Sequence, residues 1–383
     1  MEYRYITEPA ALDAILPELN SASELFIDTE FESTREHTRL CLLQVGTGKQ
    51  IFLVDAIKLS NLKPLADAFR KATWVLHAGT QDVPLILRAL GLTELPRIFD
   101  TQIGYALVTA EANVSLAYLS YLLIGSREAK AHQADDWTRR PLSPEQLTYA
   151  AKDVAGLPSL VEALKARAEA LSPARFELIF QASREVLEPG PSRRQPLELE
   201  SFRNAWQLGV AEQAGLRFLI EWFNHLPRDD QLDAPEPKVL FSLASRMPTN
   251  KDVLMQLKGV PRGFGQRHHK RILDGLAEAA RSAASSSFVP IDPPPYATFE
   301  QFRIEAWLLG LRATISEKVG VAPDFVLPSR LLGDLKAALL GLSPAQRQAP
   351  TAALSLYEAL PGFRKALLGH ELKAFCERLP PPL

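Results

Sequence analysis

Cysteine is scarce in this chain of 383 residues: Cys41 and Cys376 are the two it has. A disulfide framework and a multi-thiolate zinc site are thereby excluded, and a reducing compartment is the natural reading. Long apolar runs are missing as well. The longest, Val114 to Ile124, is broken by serine and tyrosine and is too short to span a bilayer. No apolar segment follows the opening Met-Glu-Tyr-Arg-Tyr, so no secretory leader is expected and a cytoplasmic protein is predicted. A large charge of one sign is also lacking, the net being −2. The halves differ, however. Residues 1–190 hold 19 Lys and Arg against 25 Asp and Glu, and residues 191–383 hold 24 against 20. An acidic first half and a mildly basic second half fit a carboxylate site joined to a binding module; a chance distribution is the alternative.

What is present is an ordinary globular mixture, 46% hydrophobic and 23% charged, which excludes wholesale disorder. At roughly 100–200 residues per domain the length suits two to four domains. The first ~110 residues alternate strand and helix signals. Glu24–Thr29, Leu40–Val45 and Gln50–Asp55 read as strands, the last two joined by a Gly46-Thr-Gly48 hairpin loop. Leu62–Phe69 reads as a helix, Trp74–Leu76 as a strand, and Gln81–Leu90 as a helix ending at Gly91. The expected fold is α/β, a mixed sheet with flanking helices.

From Ser115 onward the pattern is helical. Ser143-Pro-Glu-Gln146 supplies a cap and a first-turn proline for a helix through Tyr149 and Asp153, with a break at Gly156-Leu-Pro158. Two linkers by composition, Glu188–Pro196 and Ser285–Pro295, divide the chain into 1–190, 197–284 and 296–383. Phe202-Arg203…Ala205-Trp206…Gly209 and Phe302-Arg303…Ala306-Trp307…Gly310 align with a one-residue gap, so the last two pieces read as duplicated all-α bundles.

Carboxylates carry the chemistry. Asp28 and Glu30 stand one residue apart on a strand and so share a face, where they repel each other and lose hydration. A hard cation relieves both, and with no His or Cys cluster nearby it is Mg²⁺ or Mn²⁺. A solvated strand end is the plain alternative. Asp82, which follows a strand and opens a helix, fits a site acid or a favourable charge at a helix N-terminus. Tyr149 and Asp153, four residues apart, stack on one helix face, as a catalytic pair or as a core tyrosine beside an exposed acid.

Taken together, Asp28-x-Glu30, His77 with Asp82, and Tyr149-x-x-x-Asp153 resemble the three exonuclease motifs of the DEDD superfamily, tyrosine subtype. Phe26-Ile-Asp-Thr-Glu-Phe31, Leu43-Gln44-Val45 and Asp136-Trp-Thr-Arg-Arg-Pro-Leu142 before Tyr149-Ala-Ala-Lys-Asp-Val154 resemble ribonuclease D. The tail resembles the helical HRDC domains of that family, here two. The resemblance implies a ribonuclease H-like exonuclease domain and a two-metal 3′→5′ exoribonuclease releasing nucleoside 5′-monophosphates. Residues matching Asp28, Glu30 and Asp153 hold the metals, with Asp28 shared. Asp82 matches the acid that serves the second metal partly through water, and Tyr149 the phenol that orients the attacking water. The implied substrate is RNA with a single-stranded 3′ end, tRNA precursors above all. A DNA or short-oligonucleotide exonuclease and a non-catalytic RNA-binding adaptor are the competing classes.

Other features carry less. Gly46-Thr-Gly48-Lys49 lacks the first glycine and the hydroxyl residue of a phosphate loop. His268 and His269 point different ways on a helix and belong with a basic face of Arg262, Arg267, Lys270 and Arg271. That face is expected at RNA, with a solvated or protein-binding surface as the alternative. His77, Lys130 and Arg140 are further RNA-contact candidates; for Lys130, Arg139 and Arg140 a solvated loop is the rival reading. Asp135 and Asp136 read as loop acids, with contact to the site as the alternative, and Trp137 as packing. Leu257–Gly263 reads as a turn between helices.

Overall fold

In the computed structural model, residues 2–33, 38–127, 135–188, 196–199, 202–227, 230, 234–283, 288–293, 298–341, 362–365 and 367 are described. Lys130 lies outside them. Six strands form one sheet: β1 (Arg4–Ile6), β2 (Glu24–Ser33), β3 (Thr38–Gly46), β4 (Ile51–Asp55), β5 (Thr73–Leu76) and β6 (Ile98–Asp100). Their order is β1-β4-β3-β2-β5-β6. β1 runs parallel to β4, and β5 runs parallel to β2 and β6, while β3 and β4 form the antiparallel hairpin expected around Gly46-Thr-Gly48. Thr47 Oγ1 accepts from the backbone N–H of Gln50 at 3.2 Å, and Gly48 takes φ 79°, so this segment is a hairpin turn and not a phosphate cradle.

Helices cover the sheet. They are α1 (Pro9–Ser21), α2 (Ala66–Lys71), α3 (Asp82–Leu90), α4 (Thr101–Ala106), α5 (Leu116–Ile124), α6 (Pro144–Ala155), α7 (Leu157–Leu171) and α8 (Arg175–Leu187). α3 stops at Gly91, whose φ of 69° ends the helix in the left-handed region. α6 opens on the expected capping box, Ser143 and Gln146 each bonding the other's backbone, with Pro144 in its first turn. It breaks at Gly156, as predicted, and α7 begins at Leu157.

Two compact units emerge: 1–32 with 38–189 and 297–383, and 33–37 with 190–296. In the first, α13 (Phe299–Val319), α14 (Pro323–Val326) and α15 (Ser329–Leu340) share one apolar core with the sheet domain. Ile304, Leu308 and Ile315 join Ile103, Leu107 and Ile179 in that core. The buried Arg175 guanidinium ties it together, donating to Leu107 O at 3.1 Å and Val319 O at 2.7 Å.

The second unit is helical: α9 (Val210–Asn224), α10 (Pro237–Arg246), α11 (Lys251–Gln256) and α12 (Arg262–Ala283) around Leu216, Leu240, Phe264 and Ile272. The turn expected between helices near Leu257–Gly263 separates α11 from α12. The aligned words of the apparent repeat take different conformations. Ala205 and Trp206 lie in a 3₁₀ turn, and Glu212 then bonds the Gly209 N–H at 2.8 Å to start α9. Ala306 and Trp307 lie inside α13, whose capping box of Thr298 and Gln301 starts the helix eight residues earlier. Capping residues, not the shared letters, set where each helix begins.

Candidate active site

Strand alternation on β2 puts Asp28 and Glu30 on one face. α6 crosses that face on small residues. Ala150 and Ala151 pack with Leu42, Leu53 and Trp137, so the helix approaches closely and presents Tyr149 and Asp153, one turn apart, to the strand. Ligand oxygens of Asp28, Glu30 and Asp153 then lie within 4.8 Å of one another. Trp137, buried as expected of a packing residue, backs Tyr149 with ring centroids 6.3 Å apart.

The electrostatics follow from crowding acids in a half-buried place. Burial, then the charges of Asp82, Asp153 and Glu30, holds the Asp28 carboxyl well above the usual carboxylate range. Burial, then Asp153, Asp82 and Asp135, pushes Glu30 up to about 9. Asp135 thus adds the smallest of these charges to the site, in keeping with the alternative to its loop reading. Burial also raises Asp82 to about 6, against the hydroxyl of Thr29, which donates to it. Asp82 stands at the start of α3, 9% exposed, beside the trio of carboxylates and apart from their tight group. Burial, then Asp153, Glu30 and Asp28, keeps the Tyr149 phenol protonated, and it bonds Asp153.

A cleft of 410 Å³ opens above these groups, with Asp28, His77, Asn113, Leu116, Tyr149 and Asp153 among its walls. His77, expected at RNA, stands in this wall with both nitrogens engaged: Nδ1 to Thr101 Oγ1 at 2.9 Å and Nε2 to Val114 O at 3.0 Å. A carbonyl only accepts, so Nε2 carries a proton. The ring braces the 113–115 segment, which Gln102 Nε2 holds as well at 2.8 Å. Behind it, Ala78 adopts φ 55°. The fully buried Asp100 carboxylate fixes this strained turn by accepting from the N–H groups of Ala78, Gly79, Gln102 and Ile103. Asp100, Thr101, Gln102 and Asn113 do not stand out in the sequence. Their one local signal is Ile98-Phe-Asp-Thr101, an aspartate capping a helix after an apolar run.

The remaining candidates fall elsewhere. Arg140 is bound internally: Nε and Nη2 reach Asp55 at 2.6 and 2.8 Å, Nη2 also Cys41 O at 2.9 Å, and Nη1 the carbonyls of Trp137 and Arg139. Arg262, Arg267, Lys270 and Arg271 are exposed on α12 of the second unit. There Arg267 lies 3.3 Å from Asp230, and Arg271 stands 5.8 Å over the Phe218 ring. His268 faces Asp230 at 3.2 Å.

Clustered carboxylates under a tyrosine, on a mixed sheet with flanking helices, fit a 3′–5′ exonuclease. Residues 3–169 match the family model described as 3'-5' exonuclease. Ribonuclease D of Escherichia coli (strain K12) is 30% identical over 294 residues, spanning 74% of this chain and 76% of the relative. Ribonuclease D of Pseudomonas paraeruginosa is 27% identical over 383 residues, spanning 97% and 96%. The crystal structure of Escherichia coli RNase D superposes with a TM-score of 0.73 at 25% identity, covering 99% of this chain and 100% of that one. The chain belongs to the ribonuclease D family, a hydrolytic 3′–5′ exoribonuclease whose fold is ribonuclease H-like with a helical tail. Among the described residues no helix is long and apolar enough to cross a membrane.

Proposed function

We propose that this enzyme trims the single-stranded 3′ ends of structured RNA, tRNA precursors foremost, using two divalent ions, Mg²⁺ or Mn²⁺. One observation carries the reading: three carboxylates with ligand oxygens within 4.8 Å, their mutual repulsion held by the fold under Tyr149. An all-oxygen donor set fits hard cations. The solved Escherichia coli relative is described as an exoribonuclease involved in structured RNA processing, which supports the substrate class.

In this reading Asp28, Glu30 and Asp153 would hold the ions, Asp28 serving both and Asp82 assisting from beside the cluster. When bound, the ions supply a nucleophile at neutral pH and offset the charge that grows on the phosphate and the leaving oxygen. The chain's own residues do the rest. The Tyr149 hydroxyl, anchored on Asp153, orients the attacking water. The wall that His77 braces shapes the cleft for a single strand. The pieces 197–284 and 296–383 are read as HRDC-like. The exposed face of Arg262, Arg267, Lys270 and Arg271 on the first of them contacts RNA phosphates. The test is a hairpin RNA with a 3′ tail beside the matched DNA: shortening of the RNA to 5′-monophosphates with the DNA spared supports the reading. Equal or faster loss of DNA overturns it.

A further inference from the structure

Among the described residues, Gln44 holds an unusual position. It is fully buried, and neither Oε1 nor Nε2 has a hydrogen-bond partner. Interiors seldom keep such a group without a use, because an unpaired buried carboxamide is destabilising.

The sheet identifies its neighbours. Gln44 pairs with Leu53 of β4. Leu53 and Leu42 pack against α6 with Trp137, Ala150 and Ala151, whereas the intervening Leu43 and Val45 belong to the core on the other face. Alternation therefore aims Gln44 toward α6. On its other side runs β2. A connection as short as 34–37 joins strands only as an antiparallel pair. A methyl group placed on Gly46 would meet Phe26 Cβ at 3.4 Å, so residues 46 and 26 face each other. Two residues along each strand, the same pairing sets Gln44 opposite Asp28 on the same face. Cβ atoms of such pairs lie about 4.5–5.5 Å apart, within reach of a glutamine amide. Val154 Cγ2 would lie 3.9 Å from the same methyl group, so the turn of α6 that carries Asp153 covers this strip.

We infer that Gln44 is a positioning residue for Asp28: its Nε2, unpaired in this structure, would donate to the Asp28 carboxylate once cations are bound and so hold that ligand in its binding orientation. The inference rests on the metal reading above. An outer partner of this kind fixes a ligand's rotamer and takes no part in the coordination itself. The competing partner is the Trp137 indole N–H, buried in the same layer and also unpaired. A Gln44–Trp137 bond would brace the fold and leave the metal site alone.

Gln44→Leu and Gln44→Met, both in the full-length chain, separate the two. Mn²⁺ affinity is measured by titration calorimetry without RNA, and melting is followed in chelator. Removing an outer-sphere partner is expected to weaken Mn²⁺ binding roughly tenfold or more in both variants. The metal-free melting temperature stays level or rises, since an apolar group of similar size leaves nothing unsatisfied. Unchanged Mn²⁺ affinity overturns the inference. So does a lowered metal-free melting temperature in both variants, which assigns Gln44 to bracing. A wild-type chain that binds no Mn²⁺ removes the metal reading itself, and this inference with it.

Discussion

Glu30→Gln is expected to move stability and activity in opposite directions. The folded Glu30 carboxyl keeps its proton to about 9, against 4.5 for an unperturbed group, with burial the main cause and Asp153 next. Its folded value is the higher one. The penalty on the metal-free fold is therefore absent below pH 4.5, grows as pH rises and levels off near 9. At about 1.4 kcal/mol per unit, reduced for relaxation of the cluster, the penalty at pH 8 is on the order of 2–4 kcal/mol. Glutamine carries no charge to penalise. The metal-free Glu30→Gln variant should melt roughly 5–10 °C higher than wild type at pH 8. The gain should vanish near pH 4.5. Exonuclease activity should disappear, because a proposed metal ligand is gone. Thermal melting in chelator from pH 4.5 to 9, with turnover at pH 8, reads both. Equal melting of the two proteins across that range, or a variant less stable at pH 8, refutes the assignment of Glu30 to a repelling cluster.

Tyr149→Phe keeps the ring against Trp137 and removes the hydroxyl; turnover should fall roughly 10²-fold with melting unchanged, and wild-type turnover would make the ring a packing residue only. Arg140→Met leaves the fully buried Asp55 carboxylate without its cation and should cost about 3–5 kcal/mol, read by denaturant unfolding; the salt dependence of RNA binding should not change. Arg267→Ala with Lys270→Ala should lower the slope of log affinity against log salt for a tailed hairpin RNA by roughly 1 for each phosphate no longer neutralised. Cleavage of a short unstructured RNA should stay as it was, and an unchanged slope would remove this face from the RNA interface.

The chemistry is legible in the sequence because it sits in short words that local rules read. Asp28 and Glu30 share a face by strand alternation, Tyr149 and Asp153 by helix spacing, and the Ser143 capping box marks where their helix begins. The supporting shell is not legible in this way. Arg140 reads as a loop cation because its partner Asp55 is 85 residues away, and only the folded sheet brings them together. His77 reads as an RNA contact; its anchors, Thr101 and Val114, come from separate segments. The short strands β1 and β6 and the helix α1 carry too few residues, or a proline at position 17, to announce themselves by periodicity. The proline-rich linker before residue 296 marks a boundary in composition. It gives no hint that Ile304, Leu308 and Ile315 close over the core of the first segment. Cutting the chain near residue 190 would uncover those apolar faces, so point substitutions test the tail more cleanly than truncation.

The central claim is a cation-dependent exonuclease built on Asp28, Glu30 and Asp153. Its most direct measurement follows a 5′-labelled hairpin RNA with a 3′ tail, incubated with the wild-type chain in Mg²⁺ or Mn²⁺, with excess chelator, and with Asp28→Asn. The account predicts a ladder shortening from the 3′ end in metal, no cleavage in chelator, and no cleavage by the variant although it still binds the RNA. Cleavage that persists in chelator, or an Asp28→Asn protein that digests at the wild-type rate, would contradict it.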